Sequence, residues 1–215
     1  RQRQISGLCR FESGQGHQVY YSCARGSGRT GDWPRSASQA DVMTYLFLDT
    51  EWADPTGSEL VSLALVSEDG IHRFYAERDP LPDVATDFVR LVVYPLLERG
   101  QWRMPDQAMT TGLRAFLAAV ADPIVVADYP NDLALLQCVV AGFDLPDDQA
   151  AACGPIPKPV MTRMLKEGAM GMLIEDYFAG HPGAAARRHH ALIDAEALRM
   201  AWLVVTGRVP TPPWA

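Results

Sequence analysis

Three short strand-like runs follow one another between residues 43 and 76, and only a sheet accommodates them. Residues 43–50 (MTYLFLDT) are apolar, aromatic and β-branched, the composition of a central strand. Asp54-Pro55-Thr56-Gly57 supplies turn chemistry, and residues 59–67 (ELVSLALVS) then alternate like a second strand. Asp69-Gly70 is a hairpin signal into a third strand over residues 71–76. The expectation is three consecutive antiparallel strands.

The pattern then changes period. Residues 83–99 carry Val84, Phe88, Leu91, Val92 and Leu96 at helical spacing, with Pro95 ending or kinking the helix. Residues 110–120 read as a second helix, 123–127 (PIVVA) as a short buried strand and 131–142 as a third helix. After the proline-rich residues 155–159 comes an irregular stretch containing methionines, and residues 193–206 form a final amphipathic helix. Met161, Met164, Met170 and Met172 read as gap-filling core. His72 and His181 have no partner at metal-ligand spacing and receive no role. Strands followed by alternating helices and strands predict an α/β fold with a mixed sheet.

Residues 1–42 differ: they are rich in Gly, Ser, Gln and Arg and show no sustained hydrophobic period. Six arginines stand there against Glu12, Asp32 and Asp41, so this part carries +3 and the remainder −10 of the net −7. The expectation is a flexible tail, or sequence carried along upstream of Met43, with a basic nucleic-acid arm as the rival. Residues 43–215 are long enough for one packed domain. The acidic balance argues against a broad basic surface for nucleic acid, though not against an enzyme that meets nucleic acid through bound metal ions. Cys9, Cys23, Cys138 and Cys153 form no C-x-x-C pair, which suits reduced structural thiols. No apolar run approaches the ~20 residues that cross a bilayer, and the first thirty residues lack a signal-peptide centre, so a cytoplasmic location is expected.

The chemistry begins with FLDTEW, residues 47–52. Successive strand side chains alternate faces, so Asp49 and Glu51 share one side and bring two negative charges together. Arginines arriving from elsewhere in the fold, or divalent cations with their preference for hard oxygen ligands, would neutralise them; solvated edge decoration is the plainer alternative. Two further segments carry acids. VVADYPNDLALL, residues 125–136, sets Asp132 at the start of a helix, where a carboxylate is favoured by the helix dipole in any case. RRHHALIDAEAL, residues 187–198, offers His189 five residues before Asp194, and a histidine there can act as a base, cap a helix or pack.

D-x-E at the end of the first strand, a distant Asp heading a helix, and H-x-x-x-x-D beginning the last helix resemble, in order and spacing, the DEDDh branch of the ribonuclease H-like 3′-5′ exonucleases. The similarity extends through LDTEWADPTGSELVSLALVSEDG, residues 48–70, and HHALIDAEALRMAW. It looks closest to a bacterial exoribonuclease group described from mycobacteria and related to ribonuclease T, and it covers nearly all of residues 43–207. It implies a mixed five-stranded sheet flanked by helices. It also implies that Asp49, Glu51, Asp132 and Asp194 hold two Mg²⁺ or Mn²⁺ ions, with His189 as general base. Two such ions about 4 Å apart generate a nucleophilic water and stabilise the leaving 3′ oxygen.

Asp128 competes with Asp132 in the second motif, and Asp132 is preferred for its place directly before LALL. His190 is adjacent in the third, but only His189 has four residues before Asp194. Tyr129-Pro130 departs from the family, where many relatives have small residues or Asn. Thr50 and Trp52 flank the first acids and are implied substrate contacts, Trp52 by stacking on a base or simply by packing. Arg187 and Arg188 could bind substrate phosphates or merely be solvated.

The resemblance thus implies removal of nucleotides from an RNA 3′ end, single-stranded or overhanging, releasing nucleoside 5′-monophosphates. Single-stranded DNA cleaved by a proofreading or repair exonuclease is the nearest alternative, and a catalytically silent binding module the next. A homodimer is implied as a possibility by relatives.

Overall fold

The computed structural model describes residues 43–158, 160–165 and 168–209. The expectations for residues 1–42, with Cys9 and Cys23, lie outside the described residues.

The strands are Thr44–Trp52 (β1), Leu60–Ser67 (β2), Arg73–Arg78 (β3), Arg103–Met104 (β4), Pro123–Ala127 (β5) and Met161–Met164 (β6). They form one mixed sheet in the order β4-β3-β2-β1-β5-β6. The three expected antiparallel strands are β1, β2 and β3, with Asp49 opposite Ala64 and Leu63 opposite Ala76. On its other edge β1 takes β5 in parallel, Phe47 lying opposite Val126. The expectation of five strands is corrected to six. The edges hold short additions whose sequence carries little signal: β4 is two residues long, and β6, MTRM, lies within the stretch read as irregular.

The helices are Asp106–Ala119 (α1), Pro130–Ala141 (α2), Asp147–Ala152 (α3), Ala169–Gly180 (α4), Pro182–Ala185 (α5) and Ala191–Val205 (α6). They cover both sheet faces, and the alternation of β1 decides which residue meets which layer. Leu46 and Leu48 pack with Met109, Leu113 and Leu117 of α1 and Leu135 and Val139 of α2. Phe47 points the other way, onto Met170 of α4 and Leu198 and Trp202 of α6. A strand buried on both faces reads as a continuous apolar run, which is why residues 45–48 show no polar alternation. Asp49 and Glu51 share the parity of Phe47 and so face the α6 layer, whereas Thr50 faces the α2 layer.

The helix expected over residues 83–99 is not regular. Val89–Val93 is a π-type turn in which Tyr94 N–H reaches Val89 O, and Tyr94–Leu96 is a 3₁₀ turn. Pro95 accounts for this, because it has no N–H and its ring clashes with the carbonyl one turn earlier. The methionine reading is also corrected: Met170 is buried, but Met161, Met164 and Met172 are exposed, two of them on the edge strand β6. Among the described residues no helix is long and apolar enough to cross a membrane.

Candidate active site

Parallel pairing puts the C-terminal ends of β1 and β5 at the same edge of the sheet, where two helices also begin. In open α/β sheets such carboxyl ends, at the point where neighbouring connections diverge, are where ligands bind. β1 delivers Asp49 and Glu51 there, and a register irregularity between Glu51 and Trp52 interrupts the ladder just where these side chains are aimed. α2 begins at Pro130 and brings Asp132 in its first turn; α6 begins at Ala191 and brings Asp194 in its first turn. Each helix N-terminus favours the carboxylate it presents.

These four acids and His189 line one pocket of about 380 Å³, joined by Thr50, Trp52, Asp54, Asp128 and Tyr129. All five residues expected to carry the chemistry therefore come together. Asp132 rather than Asp128 is the embedded acid of the second motif: it is 2% exposed, while Asp128 is exposed at the lip. Asp132 Oδ1 accepts from the Thr50 amide at 3.1 Å and the Thr50 hydroxyl at 2.6 Å. Thr50 lines the pocket, but both its donors are committed to orienting Asp132. The Tyr129 amide also favours the Asp132 carboxylate, the arrangement in which a residue-three acid caps its own helix.

Asp194 Oδ2 accepts the His189 N–H at 2.9 Å. His189 itself has φ 73°, a left-handed backbone that is uncommon outside glycine and is tolerated where surrounding contacts enforce it. Its ring meets Phe88 edge-on, with centroids 5.0 Å apart. Glu51, His189 and Asp194 each offer a ligand atom, all within 4.8 Å of one another, a group able to hold a metal ion. Asp49 Oδ2 and Asp194 Oδ1 are buried with no hydrogen-bond partner in the protein.

Burial, and then the neighbouring acids Asp132, Glu51 and Asp194, push the Asp49 carboxyl well above the usual range. Burial followed by Asp194 and Asp132 pushes Glu51 up to about 8. Asp132 rises to about 7 by burial, with Thr50 pulling the other way, and Asp194 rises to about 7 by burial, opposed by the His189 N–H. His189 is lowered by burial and by Arg188. The cluster thus retains protons near neutrality, and any cation it binds must displace them.

Trp52 is both packed and presented: it lies against the α1/α2 core and stacks on Tyr129, centroids 5.6 Å apart and planes 21° off parallel. Arg188 is outside the pocket lining. It makes a two-pronged ion pair with Glu175 and sits 5.0 Å from the Phe178 ring centroid. Arg187 pairs with Glu98 at 2.7 Å. His190 is buried on the far side of the loop, stacked on Tyr75 at 4.8 Å and 3.6 Å from Glu98, so the histidine facing the acids is His189. Sequence reasoning missed Phe88, whose helical spacing reads as core, and Tyr129, whose only signal was its departure from the family pattern.

Comparisons of the chain with family models, with curated proteins and with solved structures return no match.

Proposed function

We propose that this protein is a metal-dependent 3′-5′ exonuclease of the DEDDh type, on a ribonuclease H-like fold, acting on RNA. The observation that carries the reading is the convergence of Asp49, Glu51, Asp132 and Asp194 with His189 in one pocket, where two buried carboxylate oxygens have no protein donor. The mixed sheet, antiparallel strands first and parallel ones after, supports the fold assignment. The resemblance of the three motifs supports the reaction class, and the preference for RNA over DNA rests on that resemblance alone.

The donor set fits Mg²⁺ or Mn²⁺: hard carboxylate oxygens, two of them buried without a protein partner, with no thiol among the pocket residues. Asp49, Glu51, Asp132 and Asp194 would hold two such ions. When bound, the ions supply a nucleophilic water and neutralise charge on the leaving 3′ oxygen. The remaining work belongs to side chains. His189, held neutral near pH 7 by its burial and by Arg188, takes the proton of the attacking water. Asp194 fixes the backbone that carries this imidazole, and Thr50 fixes Asp132.

The test is product analysis on matched RNA and DNA strands in Mg²⁺ or Mn²⁺. Release of nucleoside 5′-monophosphates from the RNA 3′ end, faster than from DNA, is expected. Faster DNA degradation moves the reading to a proofreading or repair exonuclease, and binding without cleavage of either strand moves it to a silent module.

A further inference from the structure

The backbone of His189 has to be enforced by something. A left-handed φ of 73° at a residue with a side chain persists only where the surroundings over-determine it. The residue stands in the short connection between α5, which ends at Ala185, and α6, which begins at Ala191. One enforcing contact, its own N–H on Asp194, belongs to the site already described. That bond leaves the residues on either side of His189 to be held by other groups.

His190 occupies the N-cap of α6, its carbonyl accepting from the Ile193 and Asp194 amides at 2.8 and 3.1 Å. Such positions favour small polar side chains that bond back to the first turn. Here the side chain is an imidazole that makes no cap bond; it is 1% exposed, and neither ring nitrogen has a hydrogen-bond partner. Burying two polar atoms unpaired costs stability, so this ring is explained by the place it holds and not by what it adds to folding. It lies against the Tyr75 ring, and its Nε2 is 3.6 Å from Glu98 Oε1.

The same Glu98 oxygen reaches the other flank. Arg187 Nη2 donates to Glu98 Oε1 at 2.7 Å. One carboxylate oxygen therefore bears on the second residue before His189 and on the first residue after it, and the left-handed turn lies between those two points. Arg188 is held differently. Its partner Glu175, on α4, has a side chain 61% exposed and bears on one residue of the turn. Two arginines adjacent in sequence are thus unequal: Arg187 is joined to the acid that also faces the buried His190.

We propose that Glu98 is a positioning residue for the general base: by holding Arg187 and facing His190 it keeps the turn at residues 187–190 in the shape that presents the His189 imidazole to the acids. This deepens the nuclease reading and rests on it for the role of His189. Glu98 lies outside the pocket lining, so its loss should lower kcat while leaving KM for RNA and the Mn²⁺ requirement unaltered.

The experiment joins kinetics to NMR on the full chain. On a short single-stranded RNA in Mg²⁺, Glu98→Ala should lower kcat at least about tenfold and change KM less than about twofold, a split expected when a catalytic group is misplaced by about 1 Å. Glu98→Gln keeps the oxygen acceptor and should recover most of the rate, whereas Glu175→Ala should leave the rate within about twofold of the parent. In a His189→Ala background Glu98→Ala should cost almost nothing further, because the two residues act as one unit. Without substrate, the nuclear Overhauser contact between the His189 and Phe88 rings, whose centroids are 5.0 Å apart, should be present in the parent and lost in Glu98→Ala. Arg187→Met breaks the same ion pair from its other end and should reproduce both losses, so a folding defect in one variant leaves the other decisive. Unchanged kcat in Glu98→Ala, an equal loss in the parent and His189→Ala backgrounds, or a retained contact between His189 and Phe88 overturns the proposal. If the parent cleaves neither RNA nor DNA, the nuclease reading falls and the ring contact alone decides: its loss in Glu98→Ala keeps Glu98 as the group that places His189, and its persistence sinks that as well.

Discussion

Two places among the described residues bury carboxylates, and they solve the problem in opposite ways. Glu77, in β3, is 0% exposed and fully served by the protein. Its oxygens accept from the Tyr75 hydroxyl at 2.7 Å, the Glu98 amide at 2.6 Å and the Arg99 amide at 2.9 Å, with the Arg99 guanidinium 3.5 Å away. At the end of β1 the acids are crowded with other acids, and Asp49 and Asp194 each keep an oxygen that no protein group satisfies. Burial alone therefore does not distinguish a functional acid. The distinction is whether the fold supplies donors or leaves the charge for something outside the chain.

The largest expected contrast separates activity from stability. Asp49→Asn should lower the rate of RNA 3′-end cleavage at least about a thousandfold, since several kcal/mol of charge stabilisation depend on the ions it would hold. In EDTA the same change should leave the melting temperature unchanged or raised, because it removes a carboxyl that burial and the neighbouring acids make costly to ionise. Glu77→Ala should do the opposite, lowering stability by about 3 kcal/mol in denaturant titrations by stranding buried donors, while the folded fraction keeps its specific activity.

Removal of cations should expose a pH dependence of definite sign. Between the ordinary carboxylate range and about pH 8 the folded chain keeps protons on Glu51, and up to about 7 on Asp132 and Asp194, that the unfolded chain has released. Stability contributed by this cluster must therefore fall as pH rises through that window. His189 and His190, both lowered, act with the opposite sign as pH falls below the ordinary imidazole range. The clean readout is a difference: in EDTA, Glu51→Gln should melt higher than the parent by a margin that grows from pH 5 to pH 8. Mg²⁺ or Mn²⁺ should shrink that margin by stabilising the parent.

A smaller effect is expected at Thr50→Val, which removes the hydroxyl from Asp132 but keeps the amide bond. Metal affinity should fall about tenfold, the scale for groups that orient ligands, with little change in folding. The smallest is Arg188→Ala. Because Arg188 is exposed and already paired with Glu175, KM for RNA should change less than about twofold, and stability by under about 1 kcal/mol.

The sequence made the acids legible because they sit at chain positions with strong local signals. Asp49 and Glu51 end an apolar run, Asp132 occupies the third position of a Pro-initiated helix, and Asp194 follows its histidine at fixed spacing. The antiparallel start of the sheet was legible through turn residues such as Asp69-Gly70. The two short edge strands were not, because two or four residues carry no period. Residues 83–99 misled for a physical reason: their apolar spacing is helical, but Pro95 denies them a regular helix and leaves Phe88 and Leu91 exposed. Position before LALL already favoured Asp132 over Asp128, but the difference in their burial, 2% exposure against an exposed side chain, depends on where α2 meets β1. Nor could spacing reveal that the Thr50 hydroxyl is engaged by Asp132, or that Glu77 is served where Asp49 is not.

The central claim is that the carboxylates at the end of β1 are completed by divalent cations. Calorimetric titration of Mn²⁺ into the protein in two buffers of different ionisation heat measures this most directly. The account predicts two ions per chain, bound with proton release near pH 7, and loss of binding in Asp49→Ala but not in Glu77→Gln. Absence of Mn²⁺ binding at millimolar concentration, or binding unaffected by Asp49→Ala, would contradict it.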